Sequence, residues 1–344
     1  MNPIHFSDQP AEDLHSLLAR LSFSQLFILV DSNTQIHCLP IIEKALPAAA
    51  SFFVVSPGEK NKTIATCMEI WAAMTHAGLD RKALVLNLGG GVLGDMGGFC
   101  ASIYKRGIRF INIPTTLLSQ VDASVGGKLG VDFEGLKNHL GVFNEPETVL
   151  ISPIFLSTLP KNELRSGFAE IIKHGLIRDK AYFESLNFKN WEASDWRELI
   201  SHSIAIKSEV VISDPKEAGL RKILNFGHTI GHAFETLYLD GEKHLLHGEA
   251  IAAGMICEAW LSQQKLGLAN EELDKIETAF FSIYGKITVE KSEIESLVDL
   301  CLQDKKNEGN SLLFSLLKEI GDCHYNIPVT RQEIREAILY YQSR

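Results

Sequence analysis

Four histidines, His228, His232, His244 and His247, fall in the stretch RKILNFGHTIGHAFETLYLDGEKHLLHGEAIAAGM, residues 221–255, which otherwise reads as two helices. Neutral imidazole is the commonest protein ligand for zinc, and a catalytic zinc takes three protein ligands with a fourth position open. His228 and His232 stand four apart, so on a helix both rings leave the same face, one turn above the other. His247 opens a second run, HGEAIAAGMICEAW, and meets the first pair if the two helices pack antiparallel across DGEKHLL. The spacing is not that of the H-E-x-x-H metalloproteases, since Thr229 stands where the general-base glutamate would be, and peptidase chemistry is disfavoured. Glu170, in ELRSGFAEIIKHGLI, offers a harder third ligand. A lone histidine on a helix is ordinarily a satisfied structural residue and a lone glutamate a solvated one; the clustering argues otherwise here.

A second chemical signal runs from Ala83 to Lys128. The apolar run ALVLN precedes GGGVLGDMGG, in which Gly89, Gly91 and Gly94 complete G-x-G-x-x-G before a helix-compatible segment. Glycines there let a pyrophosphate approach exposed amides at a helix start, where the dipole favours negative charge. The acidic ribose partner usual about twenty residues later is missing. Asp31, ending the earlier run FILVD, is the better candidate.

Positioning these residues takes two domains. A chain of 344 residues with 45% hydrophobic content exceeds one typical domain and can bury substantial cores. FILVD, SFFVV, ALVLN, IRFINIP and TVLIS read as strands alternating with helix-length stretches such as KTIATCMEIWAAMTHAGL. From about Pro153 helical periodicity prevails, with only LLFSLL strand-like. The expected architecture is an α/β, Rossmann-like nucleotide-binding domain over 1–152, followed by a mainly helical metal- and substrate-binding domain over 153–344. A formal net charge of −10 argues against a nucleic-acid surface. No apolar run approaches the roughly 20 residues of a membrane span, and MNPIHFSDQPAEDLHS lacks the pattern of a signal peptide, so a cytoplasmic enzyme is expected. The six scattered cysteines, with no C-x-x-C pair, read as ordinary thiols.

In order along the chain, PGEKNK, GGGVLGD, YKRG, PTTLLSQVDASVGGK, KNHLGVF, GFAEIIKHG, LRKILNFGHTIGHAFE and HGEAIAAGM make nearly the whole sequence similar to the 3-dehydroquinate synthases, a family of sugar-phosphate cyclases. The resemblance implies a dehydroquinate synthase-like fold and a divalent metal, zinc or alternatively cobalt, on Glu170, His228 and His247; the sequence leaves the oligomeric state open, a homodimer being one candidate. His232 becomes an acid/base or substrate contact instead of a ligand. It implies an NAD site at Asp31, Asn33, Glu59, Lys62, Gly90, Gly91, Val92, Asp95, Thr115, Thr116, Phe155 and Thr158. The substrate residues it implies are Arg106, Asp122, Lys128, Lys137, Asn138, Lys173, Lys207, Glu217, Arg221 and Asn225, joined by either Lys305 or Lys306. The implied substrate, 3-deoxy-D-arabino-heptulosonate 7-phosphate, carries a carboxylate and a phosphate, which explains a cationic pocket in an acidic chain. The implied reaction is transient oxidation by NAD, phosphate elimination, reduction, ring opening and intramolecular aldol closure to 3-dehydroquinate, a step of the shikimate pathway. Another sugar-phosphate cyclase, or a metal-dependent polyol or glycerol-phosphate dehydrogenase, would share the architecture.

Overall fold

The computed structural model describes residues 4–239, 243–303 and 311–344, so Lys305 and Lys306 lie outside the described residues. The chain clusters into two compact units, Met1–Leu164 and Arg165–Arg344. The first unit extends past residue 152 because the turn Pro153–Thr158 returns Phe155 to that unit's core.

The runs LFILVD, ALVLN, IRFINIP and TVLIS form parallel strands buried on both faces, while SFFVV is an edge strand with Phe52 and Val54 exposed. A six-stranded sheet contains β1 (Ile4–Phe6), β2 (Leu26–Asp31), β3 (Ser51–Val55), β4 (Leu84–Gly89), β5 (Arg109–Pro114) and, after a hairpin, β8 (Thr148–Ile151), in the order β1-β8-β5-β4-β2-β3. Phe27, Leu29 and Val85 enter one core with Ile70 and Met74 of α4 (Ile64–His76) and Leu93, Met96 and Phe99 of α5 (Gly91–Ile103). Leu26, Ile28, Val30, Leu84 and Leu86 enter the other, against Leu14 and Leu18 of α1 (Pro10–Arg20) and Ile42 of α3 (Leu39–Ile42); α2 (Ser32–His37) follows β2 directly. From β2 onward the strands follow the doubly wound order 2-1-3-4-5, which reverses between β2 and β4; ligands of such sheets sit beyond the carboxyl ends of the strands at that reversal.

The hairpin β6 (Lys128–Phe133) and β7 (Leu136–Phe143) was not among the expected strands, because GVDFEGLKNHLGVF mixes glycine and charge with too little alternation. It forms because Glu134 and Gly135 both take positive φ, 51° and 76°, which closes a tight turn, and because Leu129 and Val131 bury against α5.

The second unit holds α6 (Lys161–Arg178), whose first residues belong to the first unit, then α7 (Lys180–Ser185), α8 (Trp196–Ser213), α9 (His228–Leu237), α10 (His247–Leu266), α11 (Asn270–Tyr284), α12 (Ile294–Gln303) and α13 (Arg331–Ser343). LLFSLL lies in β9 (Ser311–Glu319), and it pairs antiparallel with β10 (Asp322–Thr330), a strand the sequence reading had left out.

Glycine sets the spacing of α9 and α10. Gly227, in the left-handed region at φ 80°, packs against Met255, while a side chain on Gly254 would strike the Gly227 carbonyl and one on Gly231 would come within 2.9 Å of the Ile251 Cα. Gly227 therefore lies beside Gly254 and Gly231 beside Ile251, and further along Glu235 lies beside His247; the helices run antiparallel. Gly248 likewise abuts the Ser166 carbonyl of α6. Gly254→Val must push α9 away, and a loss of at least about 1–3 kcal/mol in denaturant-measured stability is expected from overpacking. An unchanged unfolding midpoint would show that the helices tolerate separation.

Candidate active site

Glu170 lies midway along α6, and His228 and His247 are the first residues of α9 and α10. Glu170 Oε1 is 3.5 Å from His228 Nε2 and 3.7 Å from His247 Nε2, and one ligand atom from each residue lies within 4.8 Å of the others. The second ring nitrogen is occupied in both cases. His228 Nδ1–H donates to the Phe226 carbonyl at 3.0 Å, and His247 Nδ1 faces Glu235 Oε2 at 3.2 Å. Such contacts select the tautomer that turns the Nε2 lone pair inward, the arrangement of metal-ligating histidines.

Burial, reinforced by the Lys173 ammonium, holds His228 well below the ordinary histidine value, so it stays neutral and able to ligate. Burial opposes protonation of His247 too, but Glu235 and Glu170 outweigh it and push its pKa up to about 10. Glu170 is wholly buried and pairs with Lys173 one turn along. With His247 neutral, as a ligand must be, two carboxylates face one ammonium, and a divalent cation offsets the excess negative charge. The donor set therefore fits a metal.

The helical pairing of His228 with His232 puts their rings 5.2 Å apart, yet His232 stands to one side, in an overlapping cluster with Glu235 and His247. His244 is exposed and donates to the Leu239 carbonyl, away from these groups. Sequence reasoning missed Glu235, which HAFETL presents as one more helical glutamate.

The turn leading into α9 gathers other expected residues. Asp214 accepts from the amides of Ala218, Gly219 and Arg221, and these bonds hold its carboxyl below the usual range. Glu217 takes φ 59° and accepts from Asn225 Nδ2 at 2.6 Å, while the buried Arg221 donates to the Pro215 carbonyl at 2.7 Å. The turn then ends at Gly227, so Glu217, Arg221, Asn225 and His228 share one short stretch of backbone. Lys207 is buried on α8.

In the first unit, the expected cofactor residues collect at the carboxyl ends of the strands. Asp31 ends β2 and caps α2 by accepting from the Asn33 and Thr34 amides at 2.9 and 2.8 Å. Gly90 follows β4 and begins α5 without any side-chain cap, which leaves the first amides of the helix, Gly91 and Val92 included, for an anion. Thr115 and Thr116 follow β5, and Thr116 exchanges hydrogen bonds with Ser119. Lys62 reaches Asp95 at 2.7 Å and Asn138 at 2.6 Å, and Lys137 reaches Glu59 at 3.4 Å. Burial opposes the charge of Lys62, but Asp95 with Glu59 and Asp132 holds its ammonium above the ordinary lysine range. These bare amides and fixed polar groups fit a dinucleotide. Thr158 is exposed on the turn after β8, whereas the Phe155 ring is committed to the core. Asp122 lies on the short π-helical turn Ser119–Ala123, whose Ala123 abuts Gly91. Lys128 and Arg106 do not join this group. Lys128 is exposed at the start of β6, level with the second half of α5, and Arg106 is exposed beyond the end of α5, where β5 begins.

Comparison with known proteins accords with this geometry. The family profile for the 3-dehydroquinate synthase N-terminal region matches residues 52–166, and that for the C-terminal region matches residues 167–307. Curated 3-dehydroquinate synthases are similar throughout: that of Parabacteroides distasonis is 42% identical, covering 96% of this chain and 95% of its own, and that of Acetivibrio thermocellus is 36% identical, covering 93% and 91%. Among solved structures, 2-epi-5-epi-valiolone synthase from Streptomyces hygroscopicus subsp. jinggangensis, with NAD+ and Zn2+ bound, superposes with a TM-score of 0.89 at 28% identity over 100% of this chain and 97% of that one. A 2-deoxy-scyllo-inosose synthase complexed with carbaglucose-6-phosphate, NAD+ and Co2+ gives a TM-score of 0.86 at 25% identity, over 97% and 95%. An iron-containing alcohol dehydrogenase, 16% identical with a TM-score of 0.68, shares the fold alone. With both halves of its profile matched in order and relatives of 36% to 42% identity along nearly the full length, the chain belongs to the 3-dehydroquinate synthase family.

Proposed function

We infer that this enzyme converts 3-deoxy-D-arabino-heptulosonate 7-phosphate to 3-dehydroquinate and phosphate, using NAD and a divalent metal, zinc or cobalt. The observation that carries the reading is the convergence of Glu170, His228 and His247 with both Nε2 atoms turned inward, in a chain of this family. The NAD and metal in the titles of the two cyclase structures support the same cofactors here. When bound, the dinucleotide takes up and returns a hydride and the metal polarises the substrate alcohol.

The remaining work falls to the chain. Asp31 and Asn33 receive the ribose hydroxyls, and Gly90, Gly91 and Val92 turn their amides to the pyrophosphate. Glu59, Lys62, Asp95, Thr115, Thr116, Phe155 and Thr158 complete the cofactor wall, Phe155 through its backbone. Arg221 supplies a planar fork and Lys137, Lys173 and Lys207 supply compact charges for carboxylate and phosphate, while Lys128, level with the second half of α5, stays outside this set. Asn138 and Asn225 hold hydroxyls, Glu217 keeps Asn225 turned, Asp122 accepts from the ring, and His232 moves a proton beside the metal. Holding both ends of the opened intermediate makes the aldol closure effectively unimolecular.

Arg106 stands at the opposite end of β5 from Thr115, roughly 20 Å away by strand rise. From there it reaches a substrate held at the strand ends only if it comes from a second copy of the chain, which would give a homodimer a chemical reason. No described helix is long and apolar enough to cross a membrane, and all six cysteines are free and buried; a cytoplasmic location is part of this proposal.

Incubation with the heptulosonate phosphate, NAD and zinc is the direct test. Phosphate and dehydroquinate should appear in equal amounts over many turnovers per NAD, with no net NADH absorbance. NADH rising in step with product would make the chain a dehydrogenase and overturn the proposal.

A further inference from the structure

The antiparallel helices α9 and α10 each begin with a histidine of the metal cluster, and each carries a buried glutamate that reaches the beginning of the other. Glu235 of α9 lies against His247 Nδ1 at 3.2 Å. Glu258 of α10, completely buried, accepts from the Gly227 amide at 2.7 Å and the Ile230 amide at 3.2 Å, the two residues that bracket the first turn of α9 around His228. Gly227 has no side chain with which to cap α9, so Glu258 supplies both the acceptor and the negative charge favoured at a helix start. A cap alone does not require this. Elsewhere in the unit Asp195 and Thr330 cap α8 and α13 locally, with no charge buried in the protein. His228 has its Nδ1 fixed by a backbone carbonyl, whereas that of His247 is fixed by a carboxylate from the facing helix.

We propose that Glu235 and Glu258 form a reciprocal brace, two positioning residues that lock the starts of α9 and α10 together and aim the His247 and His228 imidazoles at a divalent cation. The proposal rests on the metal-site reading above. Glu235 fixes the ring directly. Glu258 acts through the backbone, by holding the turn from which His228 projects. Neither belongs to the proposed ligand triad.

The test is equilibrium affinity for zinc, and separately for cobalt, by competition with a chromophoric chelator. It uses the full chain stripped of metal, as wild type, Glu235→Gln, Glu258→Gln and the double variant, with apo melting temperature and the cobalt absorption spectrum recorded alongside. Each single substitution is expected to weaken metal binding by about 10- to 100-fold and to alter the cobalt bands, as loss of an outer hydrogen-bond partner does elsewhere. Should Glu258→Gln not accumulate as folded protein, Glu258→Asp takes its place. A variant at either position with wild-type metal affinity and an unchanged cobalt spectrum, whatever its melting temperature, would mean that its glutamate serves the fold alone and would overturn the brace. A wild-type chain that takes up no metal would instead overturn the site reading, and the brace with it.

Discussion

Glu170→Gln, His228→Ala and His247→Ala are each expected to abolish turnover and to strip the metal, by more than the roughly 10- to 100-fold that removal of an outer partner costs. Each takes away one of the three proposed ligands, and in the glutamine variant a neutral amide replaces the wholly buried carboxylate that faces both imidazoles. His232→Ala separates the two roles within the histidine cluster. It should keep its metal, measured by atomic emission after gel filtration, and lose about 10²- to 10⁴-fold in kcat, the usual span for a proton-transfer group. Because His232 also belongs to an overlapping cluster with Glu235 and His247, the opposite result has a clear structural meaning. Metal lost from His232→Ala and retained by Glu170→Gln would place the ion one turn away.

Lys173→Ala is expected to destabilise the metal-free protein by about 3–5 kcal/mol, since it leaves Glu170 as a buried carboxylate deprived of its ammonium partner. A bound dication would return that compensation, so saturating zinc should restore much more stability to this variant than to the wild type. Urea unfolding with and without zinc reads the difference. Turnover should remain low in the zinc-loaded variant, because the charge-assisted substrate contact proposed for Lys173, about 1.5–3 kcal/mol or roughly 10- to 150-fold in kcat/KM, would still be missing. Arg221→Ala should show the kinetic loss, with Arg221→Lys rescuing it only in part. Lys180→Ala is the control: its ammonium meets Glu272 from an exposed position, where solvent screens the pair, so little change is expected. Equal zinc rescue in wild type and Lys173→Ala would detach Lys173 from the metal site.

The parts of this molecule legible in its sequence are those where one residue type has one dominant use. Doubly buried parallel strands such as LFILVD announce themselves by unbroken apolar runs, and glycines between a strand and a helix announce a bare helix start. Histidines are scarce enough that a cluster stands out, although spacing alone joined His228 to His232 and could not bring in His247 without knowing how the helices cross. What stayed hidden depends on tertiary placement. The hairpin β6–β7 follows from a turn with two positive φ angles and from burial of one face on α5, neither of which its mixed composition reveals. Glu235 and Glu258 look like solvated helical glutamates until the antiparallel crossing, set by Gly227, Gly231 and Gly254, carries each to the beginning of the other helix. Arg106 and Lys128 are recognisable by motif, but each lies away from the strand ends within its own unit.

The capping of α2 bears on which dinucleotide the chain accepts. Asp31 Oδ1 is held by the Asn33 and Thr34 amides, and the Thr34 hydroxyl accepts in return from the Asp31 amide at 2.9 Å, so the carboxylate cannot swing aside without undoing the first turn of the helix. Its other oxygen remains available to a ribose diol at little entropic cost, since the side chain is ordered beforehand. A 2′-phosphate in the same place would meet an immovable negative charge. With the ribose at Asp31 as proposed, exclusion of NADP would be a by-product of helix capping, and Asp31→Ser, which keeps a cap but removes the charge, is the substitution through which tolerance of the phosphorylated cofactor would enter.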